Sequence, residues 1–210
     1  MPPATAASYC RLFLATPVRF EPARLVDTLA AAISGGDIAS LLIRHENTRL
    51  LEKTAMTVTK MAQDAGIAVL IENDVETARA CGADGVQLND AGPQYHDAIE
   101  QLGSDKIIGV YCASQRHKAM AMGEAGADYV AFDNQAADGD NEPVALWWAR
   151  VFEVPCVVFE PLEMDQARIA VAGKVDFICP PETMWESPDN ARQTVRGYNA
   201  MIRETKIEIP

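Results

Sequence analysis

A single (β/α)8 barrel of the TIM type is the fold this sequence predicts. Three observations lead there. Eight short apolar runs recur along 210 residues, each closed by a polar residue and each followed by helix-like sequence. The runs are rich in Val, Ile, Leu and Phe, as strands of a parallel sheet covered on both faces require. The length suits one domain over 1–210, near the lower limit of about 200 residues for eight strand–helix units. In such a barrel the chemistry gathers at the carboxyl ends of the strands.

The strands are expected at 11–16, 38–44, 67–73, 85–90, 107–111, 129–134, 156–160 and 176–180. After the first, Leu25, Val26, Leu29, Ala30 and Ile33 share one helical side, and Gly35-Gly36 stops the helix. Leu50, Leu51, Met56, Val58 and Met61 mark the second helix, closed by Gly66. The turn Gly82-Ala83-Asp84-Gly85-Val86 recurs as Gly126-Ala127-Asp128-Tyr129-Val130, and more faintly as Gly173-Lys174-Val175-Asp176-Phe177. In each copy Gly should end a helix and Asp should precede a strand. A long irregular stretch at 133–142 follows the sixth strand and reads either as a lid or as an ordinary surface loop. Trp147-Trp148, on the sixth helix, reads as outer-core packing or as a subunit contact, which leaves a homo-oligomer open. Ser187 as N-cap, Pro188 at the first helical position and Asp189 in the first turn open the last helix.

Composition narrows the function. A formal net charge of -12 argues against nucleic-acid and anionic-membrane partners, which need a basic footprint. No apolar run approaches membrane-span length, and residues 1–10 lack the charged and apolar regions of a signal peptide, so a cytoplasmic location is expected. The five cysteines include no Cys-x-x-Cys pair, so neither a disulfide framework nor a zinc site is expected. A small-molecule ligand is the expected partner.

At the strand ends stand Arg44, Glu72, Asn73, Asp74, Asn89, Asp90, Tyr111, Asp133, Asn134 and Glu160, with Glu182 just beyond the eighth. Asp74 and Asp90 form a natural pair for Mg²⁺, which takes one or two carboxylates plus waters. Asp74 equally suits a helix cap for 75–78. Arg44 suits bidentate contact with a phosphate or carboxylate, or an internal pair with an acid such as Glu72. His45, His96 and His117 have no nucleophile or ligand partner at short spacing and read as structural or surface residues. After the seventh and eighth strands come Glu160-Pro161-Leu162 and Pro180-Pro181-Glu182. Prolines lack the N–H groups that cradle an anion, and the carboxylates repel one, so the usual barrel phosphate pocket is not expected.

With these residues in view, the chain resembles the thiamine phosphate synthase family and its thiazole tautomerase (TenI-type) relatives. The resemblance rests on Asn73-Asp74, Ala78, Gly82-Ala83-Asp84-Gly85-Val86 and Leu88, then Ile108-Gly109-Val110 and Gly126-Ala127-Asp128-Tyr129-Val130, in register. It implies a phosphate-binding barrel that joins hydroxymethylpyrimidine diphosphate to thiazole phosphate and releases pyrophosphate, with Mg²⁺ between the diphosphate and acidic side chains. Carried over by position, it assigns Arg44 and Asn73 to substrate and phosphate, and Asp74 to Mg²⁺. Asp90 becomes a second ligand if a remodelled loop lets it replace the family Asp that aligns with Gly92.

The family pattern is incomplete. Its Gln-x-Arg-x-Lys at the second strand end is Leu42, Arg44 and Glu46 here. A Ser is replaced by Tyr111, a Gly-Gly pair by Glu160-Pro161, and the tautomerase His aligns near Ala113. The Thr-x-Thr-Lys loop is not recognisable in 133–142. The resemblance therefore predicts the family barrel with altered or impaired condensation. The alternatives are a non-catalytic binding or regulatory barrel, and a repurposed enzyme acting on another ligand, one that is cationic if the acidic mouth selects it.

Overall fold

Seven of the eight apolar runs become strands that end one or two residues before their polar terminus, while the fifth, expected at 107–111, runs on to Ala113. The computed structural model describes residues 10–90, 92–159 and 162–205. In chain order they form β1 (Arg11–Ala15), α1 (Pro22–Ile33), β2 (Ser40–Ile43), α2 (Thr48–Asp64), β3 (Ala68–Glu72), α3 (Val75–Cys81), β4 (Gly85–Leu88) and α4 (Pro93–Leu102). Then follow β5 (Ile107–Ala113), α5 (Arg116–Glu124), β6 (Tyr129–Phe132), α6 (Val144–Val151), β7 (Cys156–Val158), α7 (Met164–Ala172), β8 (Phe177–Ile178) and α8 (Pro188–Glu204). A 3-10 helix, Glu182–Glu186, precedes α8. The strands are parallel and pair in sequence order, and β8 closes on β1 through Arg11–Phe177 and Leu12–Ile178. The predicted barrel is the observed one.

Two cores follow from two buried strand faces. Outward residues such as Leu12, Leu14, Leu41, Ile43 and Val69 pack under the helices. Inward ones fill the barrel, among them Phe13, Leu42, Leu70, Tyr129 and Val157. Gly109 makes room for the Tyr129 ring, because a Cβ there would lie 1.9 Å from the ring's Cζ. The second helix departs from expectation at Met56, which is exposed. Its buried face runs instead through Leu51, Thr54, Ala55 and Val58.

The repeated turn has a structural cause. Asp84 Oδ2 accepts the N–H of Val69 on β3 at 2.7 Å, Asp128 that of Ile108 on β5 at 2.7 Å, and Asp176 that of Cys156 on β7 at 2.8 Å. Each Asp thus ties the start of one strand to its neighbour with a charge-assisted bond. Gly82 and Gly126 take positive φ (69° and 91°), as expected of a helix-ending glycine. The third copy differs. There Lys174, not Gly173, takes the left-handed position at φ 68°. The N–H of Val175 reaches back to Ala170 as that of Ala83 reaches Ala78, so the helix end is one residue later than the repeat suggests. Asp128→Ala removes an ionic acceptor from a buried N–H and is expected to cost about 1.5–3 kcal/mol. A fall in the urea midpoint at constant slope checks this; an unchanged midpoint contradicts it.

The 133–142 stretch has the contacts of a surface loop. Asp140 pairs with Arg116 on α5 at 2.8 Å, Glu142 pairs with Arg150 on α6, and Ala136 bridges Pro143. These contacts pin it to the outer helices. Trp148 is fully buried, donates its Nε1–H to Val154 O at 2.8 Å and stacks on Phe152, so its packing role holds. Trp147 is half-buried and carries the Arg116 guanidinium 4.4 Å from its ring. The Ser187 cap of α8 is formed, with its side chain accepting the Asn190 N–H.

Candidate functional site at the barrel mouth

Side chains facing inward at the strand ends form a pocket of about 240 Å³ over the barrel interior. Arg44 leaves the end of β2, Tyr111 comes from β5, Asp133 follows β6, Phe159 follows β7, and Cys179 and Glu182 follow β8. The structure thus brings together Arg44, Tyr111, Asp133 and Glu182 from the sequence candidates. Glu160 and Pro161 lie outside the described residues.

Arg44 is held on three sides. Its Nε–H donates to Thr16 O at 2.7 Å, Nη2 pairs with Glu182 Oε1 at 2.9 Å, and the guanidinium carbon lies 5.2 Å from the Phe159 ring centroid. The backbone N–H of Arg44 also donates to Thr16 Oγ1 at 2.8 Å. The side chain is only 15% exposed. Its acidic partner is therefore Glu182 and not Glu72, a correction that barrel closure explains, since closure brings the β8 loop beside β2. Two of the positions that resemblance assigns to diphosphate carry no cation here. Leu42 is buried among the inward residues, and Glu46 pairs with Arg19 at 2.6 Å.

The opposite wall is aromatic and acidic. Tyr111 donates its hydroxyl to Asp133 Oδ1 at 2.6 Å and packs 5.7 Å from Phe159. A β-bulge between Tyr111 and Ala113, with Ala113 at φ 50°, aims this strand end. Below the mouth, the Tyr129 hydroxyl donates to Gln87 Oε1 at 3.0 Å inside the barrel. Gln87 Nε2 is buried with no partner among the described residues. Burial pushes the Tyr129 pKa well up, with help from Asp128 and Glu72, which keeps it a neutral donor. The sequence reading missed Thr16, Phe159 and Gln87. Stepping by two along each strand would have found Phe159 and Gln87 on the inward face, but not Thr16, which has the outward parity of Leu12 and Leu14.

Asn73, Asp74 and Asp90 share a different place, a cleft of about 630 Å³ between α3 and α4. Asn73 holds φ 54°, and its Oδ1 accepts the Asn89 N–H at 2.8 Å, joining the loops after β3 and β4. Asp74 caps α3, with Oδ1 accepting the Thr77 N–H and Oδ2 the Thr77 hydroxyl, both at 2.8 Å. Among the described residues no three His, Cys, Asp or Glu side chains converge on a metal position. The carboxylates of Asp74, Glu76, Asp90 and Asp97 beside amide side chains in one cleft nevertheless make an all-oxygen donor set. That set fits Mg²⁺, which needs few protein ligands and keeps water.

The histidines stay structural: His45 Nδ1 accepts the Asn47 N–H at 2.9 Å, and His96 and His117 lie on α4 and α5. Cys179 lines the mouth, but burial pushes its thiol up to about 12, so at neutral pH it is no thiolate nucleophile. Cys10, Cys112, Cys156 and Cys179 are buried and Cys81 half-buried. In native protein at pH 8, dithionitrobenzoate is expected to modify Cys81 first and the other four only on unfolding. Fast labelling of a Cys81→Ser variant contradicts this.

The thiamine monophosphate synthase family model matches residues 12–138. The chain belongs to this family. The thiamine-phosphate synthase of Rhodospirillum centenum is 32% identical over 203 residues, covering 92% of this chain and 98% of that one. That of Hyphomonas neptunium is 32% identical over 207 residues, with 91% and 93% covered. Among solved structures, thiamine phosphate pyrophosphorylase from Pyrococcus furiosus superposes with a TM-score of 0.76 at 20% identity, covering 93% of this chain and 96% of that one. This last likeness shows the shared barrel. The thiamine monophosphate synthase match ends at 138, so the loop after β6, α6 to α8 and the Glu182 segment fall largely outside it.

Proposed function

We propose that this chain serves thiamine biosynthesis as a small-molecule barrel whose site is the Arg44 pocket. We further propose that it condenses hydroxymethylpyrimidine diphosphate with thiazole phosphate far more slowly than a complete family site. One observation carries the reading: the guanidinium that would meet the diphosphate is engaged by Glu182 and by Thr16 O. The neighbouring positions add no charge to help it, with Leu42 buried and Glu46 paired with Arg19.

Within this reading, Arg44 meets the substrate in its pocket, and the neighbouring cleft would extend the site, with Asn73 toward the substrate and Asp74 and Asp90 as the residues that would hold Mg²⁺. When bound, the ion supplies positive charge that offsets the diphosphate. Asp74 keeps its capping bonds to Thr77 in that role, since each carboxylate oxygen has more than one lone pair. A cytoplasmic setting is part of the proposal, because it keeps thiols such as Cys112 and Cys179 reduced. Among the described residues no helix is long and apolar enough to cross a membrane.

A non-catalytic binding barrel is the second reading, favoured by the same Arg44–Glu182 pair. Purified protein mixed with both substrates and Mg²⁺, with thiamine phosphate followed by mass spectrometry, separates the two. Slow product formation above the Arg44→Ala background supports slow condensation; none above it supports binding alone.

A further inference from the structure

The side edge of an arginine, Nε with Nη2, is its strongest grip on an oxyanion. Arg11 shows this on the far end of the barrel, where the two nitrogens hold Asp37 bidentately at 2.7 Å each. In Arg44 the same edge is divided between Thr16 O and Glu182 Oε1. The carboxylate of Glu182 thus stands where an incoming phosphate oxygen would have to stand.

Glu182 is anchored through its backbone, while its side chain is 54% exposed. It begins the 3-10 helix Glu182–Glu186, which is fastened by the Trp185 Nε1–H to Ala15 O bond at 2.8 Å and by buried Met184. Asn190 Nδ2 also donates to Thr183 O at 3.3 Å. A phosphate that displaced Glu182 from Arg44 would still have this carboxylate nearby as a like charge, because the segment that carries it is held in place. Among the described residues around the pocket, two carboxylates, Glu182 and Asp133, face one guanidinium. The Tyr111 hydroxyl on Asp133 is neutral and leaves that charge in place. Phe159 and Tyr111 supply aromatic surface beside it; such surface attracts cations, and the Arg44 guanidinium already lies over the Phe159 ring.

We propose that Glu182 is the residue that sets what this mouth accepts: as the resident carboxylate of Arg44 it turns away phosphorylated ligands and leaves the pocket to an unphosphorylated, positively charged heteroaromatic, received by Asp133 and the Phe159–Tyr111 wall. The inference rests on the reading of this pocket as the ligand site. It goes beyond that reading, because it names an unphosphorylated cation as the ligand held best and so accounts for slow condensation of phosphorylated substrates.

Calorimetric titration at low salt tests it, with three probes: thiamine, which carries a thiazolium cation, thiamine phosphate and inorganic pyrophosphate. Each variant is first checked for an unchanged thermal unfolding profile. The wild-type protein is expected to bind thiamine at least tenfold more tightly than thiamine phosphate. Glu182→Gln should raise pyrophosphate affinity at least tenfold, and Glu182→Gln combined with Arg44→Gln should abolish that gain. Asp133→Asn should weaken thiamine at least fivefold. Equal pyrophosphate affinity in wild type and Glu182→Gln overturns the proposal, as does wild-type preference for thiamine phosphate or no thiamine binding at millimolar concentration. The condensation assay reports separately. Rapid product formation by the wild-type protein, which consumes two phosphorylated substrates, overturns both readings. Slow product formation without that gain removes only the role of Glu182.

Discussion

Gly85→Ala is expected to cost the barrel about 3 kcal/mol or more, at or beyond the upper end of ordinary overpacking. A Cβ on Gly85 would lie 1.9 Å from the carbonyl oxygen of Ile107, 2.7 Å from its carbon and 2.8 Å from its nitrogen. All three atoms are backbone, so no rotamer change relieves the clash. Relief requires β4 and β5 to part where Gly85 pairs with Ile107. Gly109→Ala differs because its obstacle is the Tyr129 ring, a side chain that can turn once it gives up its bond to Gln87. Urea unfolding of the two variants should show the larger loss for Gly85→Ala. A Gly85→Ala midpoint close to wild type would mean that the β4–β5 seam yields far more easily than a packed barrel should.

The second large effect is on rate. Removing one contact that stabilises transition-state charge typically lowers turnover by about a hundred- to a thousand-fold. Here two of three residues in the family's Gln-x-Arg-x-Lys pattern are replaced, by Leu42 and Glu46, and the third, Arg44, is engaged by Glu182. Such losses are not additive when residues act as a unit. Even so, the effect of one of them is enough to bring turnover well below the median enzyme value of about 10 per second.

The barrel was legible because its cause is local. Each run of buried β-branched and aliphatic residues, such as Leu41–Ile43 within β2, announces a two-sided parallel strand on its own. The Gly-Ala-Asp repeat was visible as an echo, and its meaning appears only when Asp84, Asp128 and Asp176 meet backbone N–H groups across strand pairs. The left-handed Lys174 was not legible, because a lysine carries no sequence mark of positive φ. Neither was the Arg44–Glu182 pair. The two residues are 138 positions apart, and only closure of β8 on β1 sets them side by side. A search among neighbouring strands pointed to Glu72 instead. For the same reason the candidates divided in two. Asp74 and Asp90 stand over the loops after β3 and β4, while Arg44 faces Phe159 and Glu182 across the mouth.

The most direct measurement is the wild-type rate of condensation set beside that of Arg44→Ala. Both proteins would receive saturating hydroxymethylpyrimidine diphosphate, thiazole phosphate and Mg²⁺, with thiamine phosphate quantified by mass spectrometry. An altered mouth predicts a wild-type rate within about a hundredfold of the Arg44→Ala background, the loss attached to a single charge contact. Turnover on the order of 1 per second or faster, abolished by Arg44→Ala, would show that Arg44 leaves Glu182 for the diphosphate and that the family site is intact.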